Sequence, residues 1–408
     1  LNVPTHHRYL SDGIVVGNSI YGWRGANFRN VLQFSKDFPE VKKFILGQNY
    51  RSTQRIVAAT RALIEHNVER HQKEMFTTND HGSPPQVDIY DSDAEEADAV
   101  AARVKDVIHV SDVPENEIAI LYRTNFQSRA VEEAFRRHRI PYEVVGGFRF
   151  YDRKEIKDVL SYVRLIANPR SDADFYRIIG TPSRGLGDAA VEAIAHKAVE
   201  LGSSMMDGAK AVLGTKAVST LQAQGIRKFV DAMEPIMEYV AVTPSPKISV
   251  LIEQLVKAVK YEEYVYQLKD KRGRERMENI QELMRAADDR QDAAPKLTLS
   301  SWLQEITILS NEEHDDPERK RVVLSSGHSS KGREFSYVFV IGASDKRMPH
   351  AKVGRMPHEI EEERRLAYVM FSRAKERLFV SLAADRYGGV DPSRFLYEAG
   401  MLERPKDS

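Results

Sequence analysis

Between residues 87 and 145, short apolar runs alternate with stretches of helical periodicity. Strands are predicted at 87–90, 118–122 and 143–145, with helices starting near Ala94 and Gln127. In the first helix Ala97, Val100, Ala101, Val104 and Ile108 recur at the 3.6-residue period, so one face is apolar. Short apolar strands alternating with helices indicate an α/β fold with a mostly parallel sheet covered by helices. The same style returns near the end, with strands predicted at 322–325, 337–341 and 378–381 around a helix over 361–375. From about 150 to 320 helical periodicity dominates, broken by loop signals at 243–246 and 292–295 and by the charged run 311–321. The pattern therefore reads as one sheet interrupted by a mainly helical insertion.

A length of 408 residues fits two or three domains. Apolar runs such as 338–341 fall well short of the roughly 20 residues that cross a bilayer, so no membrane partner is expected. The absence of cysteine excludes disulfides, thiolate metal sites and cysteine nucleophiles, and fits a reducing cytoplasm. Sixty basic residues balance sixty acidic ones. Contact with nucleic acid would then rest on local patches and stacking rather than on a basic excess.

Four strings carry candidate chemistry. In Ser19-Ile20-Tyr21-Gly22-Trp23-Arg24-Gly25-Ala26, aromatics and an arginine beside glycines suit stacking of unpaired bases with a cation at phosphate. They equally suit a strand-to-helix turn with packed aromatics. Gln48-Asn49-Tyr50-Arg51-Ser52 follows the apolar run 44–46 and opens a predicted helix. There Tyr50 could stack on a base and Arg51 hold a phosphate, or Ser52 could cap the helix and Arg51 be a surface charge. Residues 325–335 join two predicted strands, where α/β sheets bind ligands. This loop is not a Walker A motif, because Lys331 follows Gly327 at the wrong spacing and precedes Gly332. Finally, Leu366 and Arg373 are two helical turns apart, placing Arg373 near an apolar face. A partly buried guanidinium needs an anion. The helix alone favours a carboxylate among Glu361, Glu362 and Glu363, with a bound phosphate as the alternative.

In order and spacing these strings resemble motifs III to VI of superfamily 1A DNA helicases of the UvrD/PcrA/Rep type, in the C-terminal part of those proteins. Residues 121–129 also resemble the family's Tyr-Arg-Thr-Asn-x-Gln-Ser-Arg segment, and 181–188 its Thr-Pro-x-Arg-Gly-x-Gly-Asp element. The resemblance implies a RecA-like domain 2A over 49–149 and 321–408, interrupted by a helical domain 2B over 150–320. Residues 1–48 would be a remnant or linker of a first RecA-like domain, carrying motif III. It further implies that Tyr50 stacks on the ATP base, that Arg51 and Arg373 are arginine fingers at the γ-phosphate, and that Glu334 contacts the nucleotide. Tyr21, Trp23 and Arg24 would grip single-stranded DNA, as would Arg123 and Asn125, with His328 and Lys331 on the DNA side of motif V. Gly185 and Gly187 would offer backbone amides to a duplex phosphate, and Tyr387 would belong to a shortened strand-separating hairpin.

The implied function is the C-terminal half of an ATP-dependent 3′–5′ DNA helicase, with ATP and Mg2+ as cofactors of the complete enzyme. The implied partners are single-stranded DNA, single/double-strand junctions, the first RecA-like half, and repair or replication proteins. Ser325 and Arg333 depart from the usual threonine and leucine. Gly17 and Asn18 lead directly into Ser19, without the family's γ-phosphate-sensing glutamine. With no Walker A lysine or Walker B Asp-Glu ahead of them, the chain alone is expected to be inactive as a motor, and its start reads as a truncation, a deletion or a missing segment. The competing expectation is a non-catalytic module that binds DNA or protein.

Overall fold

The computed structural model describes residues 47–68, 74–310, 320–351, 356–384 and 389–404, together with the backbone of 2–3, 8–11 and 14–17. Three short strands, β1 (Asn2–Val3), β2 (Arg8–Ser11) and β3 (Ile14–Gly17), pair antiparallel in that order. The chain forms two compact units, one made of Leu1–Gly147 with Pro317–Ser408 and the other of Phe148–Asp316.

Through the first unit the chain runs α1 (Gln54–Glu65), β4 (Gln86–Tyr90), α2 (Asp93–Val110), β5 (Ile118–Tyr122), α3 (Ser128–His138) and β6 (Tyr142–Val145). It then passes through the second unit in helices α4 (Lys154–Ala167), α5 (Asp172–Ile178), α6 (Asp188–Leu201), α7 (Met205–Val212), α8 (Thr220–Val242), α9 (Ile248–Ala258), α10 (Tyr261–Gln267), α11 (Gly273–Ala293) and α12 (Leu299–Ser310). It returns with β7 (Val322–Ser326), β8 (Phe335–Val340), α13 (Pro357–Phe371), β9 (Ala374–Ala383) and α14 (Arg394–Glu398).

In the first unit six strands lie in the order β4-β9-β8-β5-β7-β6, and every neighbouring pair is parallel. The two parts of the unit interleave, since β5 sits between β7 and β8. β5 is buried along its whole length, which explains its unbroken apolar sequence. Its alternate side chains serve opposite faces. Ala119 and Leu121 join Ile56, Leu63, Leu366 and Phe371 in one core, while Ile118, Ile120 and Tyr122 join Val104, Phe135 and Phe339 in the other.

Four local expectations are corrected. The late helix spans Pro357–Phe371 rather than 361–375, with the proline at its first turn. β9 starts at Ala374, and its polar first residues are held in a strand by pairing with Phe335 and Tyr337 of β8. Arg373 therefore follows the helix instead of belonging to it. The first helix after Tyr50 begins only at Gln54, and its N-cap is Thr53 rather than Ser52. On α2, Ala97, Val100, Ala101 and Val104 are buried as expected, but Val107 takes the final buried position and Ile108 packs at the margin.

Among its described residues the second unit is helical without strands, around one core that includes Tyr162, Phe175, Phe229, Tyr261 and Trp302. Asp158 ties three of its helices together, accepting from Tyr261 Oη at 2.8 Å, Arg177 Nη2 at 2.7 Å and Lys154 Nζ at 3.1 Å.

Candidate nucleotide site

The site begins with a turn. Asn49 Oδ1 accepts the backbone N–H groups of Arg51 at 2.8 Å and Ser52 at 2.9 Å, closing an Asx turn. Ser52 Oγ then donates to the Ala374 carbonyl at 2.6 Å, and Thr53 N to the Lys375 carbonyl at 3.0 Å. These bonds stitch the segment to the start of β9. Arg51 is thereby placed with Nε 2.7 Å from Glu334 Oε2 and Nη1 3.0 Å from the Ser372 carbonyl. Three distant segments thus meet at the N-terminal edge of β8 and β9.

Arg373 lies behind Arg51 and is only 9% exposed. Its Nε donates to the Val369 carbonyl at 2.9 Å, Nη1 to the Arg333 carbonyl at 2.9 Å, and Nη2 to Ser372 Oγ at 3.1 Å. All three acceptors are neutral, and no carboxylate pairs with this guanidinium among the described residues. The expected pairing with a glutamate of the same helix is not found. Glu361 binds Arg365 at 3.1 Å, and Glu363 binds Arg123 at 2.6 Å. Glu363 lies eight residues before the end of α13, about 12 Å along its axis at 1.5 Å rise per residue, and Arg373 comes after that end. Burial, reinforced by the charge of Arg51, lowers the Arg373 pKa to about 10, so the group stays cationic at neutral pH. Among the described residues the carboxylate that favours its charge is Glu334, which Arg51 already holds.

Around this pair, Glu334 is held below the usual carboxylate range by its hydrogen bond from Arg51. Lys331 is pulled down by burial and by the charge of Arg373, which puts it within electrostatic reach of this end of the loop. Lys375, absent from the sequence-based candidates, pairs with Glu117 at 2.7 Å. Tyr50 is 77% exposed, its hydroxyl donating to Gln48 Oε1 at 2.8 Å, so its ring faces solvent.

Other candidates fall at the opposite, C-terminal edge of the sheet. Arg123 follows β5 and Asn125 opens the turn into α3. Because β7 and β8 are parallel, the connection over 327–334 must run back along the sheet. His328 starts at the C-terminal edge and Glu334 arrives at the N-terminal one. Gly327 allows this loop to lie against α13, since a Cβ there would fall 2.7 Å from Met370 Sδ. Tyr21, Trp23, Arg24 and Tyr387 lie outside the described residues.

The family model for the UvrD-like helicase C-terminal domain matches residues 44–385. The chain belongs to this family. It is 37% identical over 400 residues to the ATP-dependent DNA helicase PcrA of Staphylococcus epidermidis (strain ATCC 35984), covering 94% of this chain and 54% of the relative. It is 36% identical over 397 residues to PcrA of Staphylococcus aureus (strain Mu50), covering 94% and 53%. The chain spans about half the length of these curated relatives.

Within the helical unit of this UvrD-like domain, Gly185 adopts φ +70°, a conformation that favours glycine, and Gly187 caps α6. Arg184 between Ser183 and Gly185 turns inward. Its Nη1 donates to the carbonyls of Ile178, Ile179 and Pro182 at 3.0, 3.0 and 3.1 Å, and Nη2 to Tyr162 Oη at 2.6 Å. The guanidinium also stacks over Phe229 at 5.1 Å. Arg184 thus shapes the glycine loop from inside, a role the sequence reading did not assign. No helix among the described residues is long and apolar enough to cross a membrane.

Proposed function

We propose that this chain is the ATP-closing and DNA-gripping half of an ATP-dependent 3′–5′ DNA helicase, with residues 49–149 and 321–408 as domain 2A and 150–320 as 2B. The observation that carries the reading is Arg373, a buried guanidinium with neutral acceptors and no bonded carboxylate among the described residues. Such a group is suited to an anion arriving from outside. Phosphoryl transfer spreads negative charge over the γ-phosphate oxygens, and fixed guanidinium groups stabilise it. In this reading Arg51 and Arg373 supply those charges, Tyr50 offers its exposed ring to the base, and Glu334 contacts the nucleotide.

No group of three acidic or histidine side chains suited to a metal occurs among the described residues. In this reading Mg2+, the Walker lysine and the Walker carboxylates belong to a first RecA-like half, as the family resemblance implies. On the opposite edge of the sheet Asn125 and His328 would meet single-stranded DNA, joined by Tyr21, Trp23 and Arg24. Gly185 and Gly187 would meet a duplex phosphate, and Tyr387 the junction. A non-catalytic module that binds DNA or protein is the competing reading, and it predicts no turnover when a Walker-bearing half is supplied.

The test is a steady-state ATPase assay with single-stranded DNA. The isolated chain is expected to show no turnover, and addition of a RecA-like half bearing Walker motifs is expected to restore it. Turnover by the isolated chain at about 1 per second, abolished by Arg373→Ala, would overturn the assignment.

A further inference from the structure

The two arginines of the site are not equivalent. Arg51 has a carboxylate partner at 2.7 Å, whereas among the described residues Arg373 bonds to carbonyl and hydroxyl acceptors alone. We propose that Glu334 is a built-in counter-anion for Arg51, and that it sets how much negative charge a phosphate ligand must carry before both arginines hold it. The inference rests on reading this cluster as a phosphate site, and it concerns discrimination within that site.

Four features support it. The pair is partly open to solvent, with side-chain exposures of 29% for Arg51 and 50% for Glu334, so the carboxylate can swing away without unpacking the core. Arg51 uses Nε on Glu334 and Nη1 on Ser372 O, and Nη2 makes no bond among the described residues. Glu334 is fixed only through its backbone, being followed by Phe335, whose N–H binds the Arg373 carbonyl at 3.0 Å. Its side chain has no bonding partner other than Arg51 among the described residues.

A weakly charged anion entering beside Arg373 meets the Glu334 carboxylate, whose repulsion offsets part of what Arg51 offers. A ligand with several charges outcompetes that carboxylate for Arg51 and gains both guanidinium groups. Glu334 thereby filters monophosphate from polyphosphate by charge, before any contact with a nucleoside. Part of the sequence logic follows: a glutamate beside phosphate-binding arginines is repulsive toward the ligand, which is tolerable where selectivity results.

The experiment is isothermal titration of the full 408-residue chain with inorganic phosphate, pyrophosphate and tripolyphosphate at pH 8, without metal ions. These probes lack a ribose, so any nucleoside contact by Glu334 does not enter. Wild type is expected to bind tripolyphosphate far better than phosphate. Glu334→Gln should bind phosphate about tenfold more tightly, with a smaller gain for tripolyphosphate, so that the preference narrows. In an Arg51→Gln background the carboxylate can only repel, so Glu334→Gln should help tripolyphosphate at least as much as phosphate and the narrowing of the preference should vanish, a coupling that general loosening of the fold would not produce. An unchanged or widened preference in Glu334→Gln overturns the inference, as does failure of both proteins to bind any of the three anions. Loss of tripolyphosphate binding in Arg373→Ala supports the underlying site. Full binding by Arg373→Ala overturns that site reading, whatever Glu334→Gln does.

Discussion

Arg123 and Glu363 form a two-pronged ion pair, with Nη2 2.6 Å from Oε1 and Nε 2.8 Å from Oε2. Glu363 also accepts the backbone N–H of His350 at 3.1 Å. The pair fastens the end of β5 to α13, the helix that leads to Arg373. Removing only the arginine leaves a nearly buried carboxylate without its partner. Arg123→Ala should cost about 3 kcal/mol of stability, and Arg123→Ala with Glu363→Gln should recover more than half of that loss. Urea unfolding of the single and double variants measures both. A single-variant loss below about 0.5 kcal/mol, the size of an exposed pair, would show that the bond is only superficial.

Glu96 is buried on α2, with Oε1 accepting Gly342 N at 2.9 Å and Ser381 Oγ at 2.6 Å. Burial raises its pKa above the ordinary value of 4.5 despite these bonds. The folded form then binds a proton more readily than the unfolded one. Its favourable contribution is complete below pH 4.5 and is lost as pH rises through the higher folded value. Glu96→Gln should remove this part of the pH dependence and stabilise the sheet unit near neutrality. Urea midpoints from pH 5 to 8 test it, and parallel curves for the two proteins would contradict it.

The inward Arg184 makes a separate prediction for the helical unit. Lysine cannot reproduce one nitrogen shared by three carbonyls with another on a tyrosine hydroxyl. Arg184→Lys should lower stability by about 2 kcal/mol, read from the fluorescence of the buried Trp302 during unfolding. An unchanged midpoint would mean that the glycine loop is held by other contacts.

These residues also mark what the sequence discloses. The strands of the sheet are legible because parallel strands buried on both faces are written as continuous apolar runs, as in β5. The beginning of β9 is not, since Lys375, Glu376 and Arg377 carry no apolar signal and become strand only by pairing with β8. Tyr50, Arg51, Glu334 and Arg373 can each be picked out from motif order. Their convergence cannot, because the bonds of Arg51 reach across 283 and 321 residues. Helical spacing misdirects the partner of Arg373, whose neutral acceptors include a carbonyl from the preceding loop. The pairing of Arg123 with Glu363 spans 240 residues and leaves no periodic trace.

On the proposed function, Arg373, which bonds no carboxylate among the described residues, keeps its charge for the transferring phosphate. The most direct test of this role is DNA-stimulated ATP hydrolysis by the complete polypeptide, in which this chain is joined to a RecA-like half, with Arg373→Ala compared against wild type at saturating ATP. In the variant kcat should fall by about a thousandfold, the lower range for loss of an arginine finger, while binding of a single-stranded oligonucleotide is retained. A kcat within about threefold of wild type, well short of an arginine-finger loss, would contradict that role.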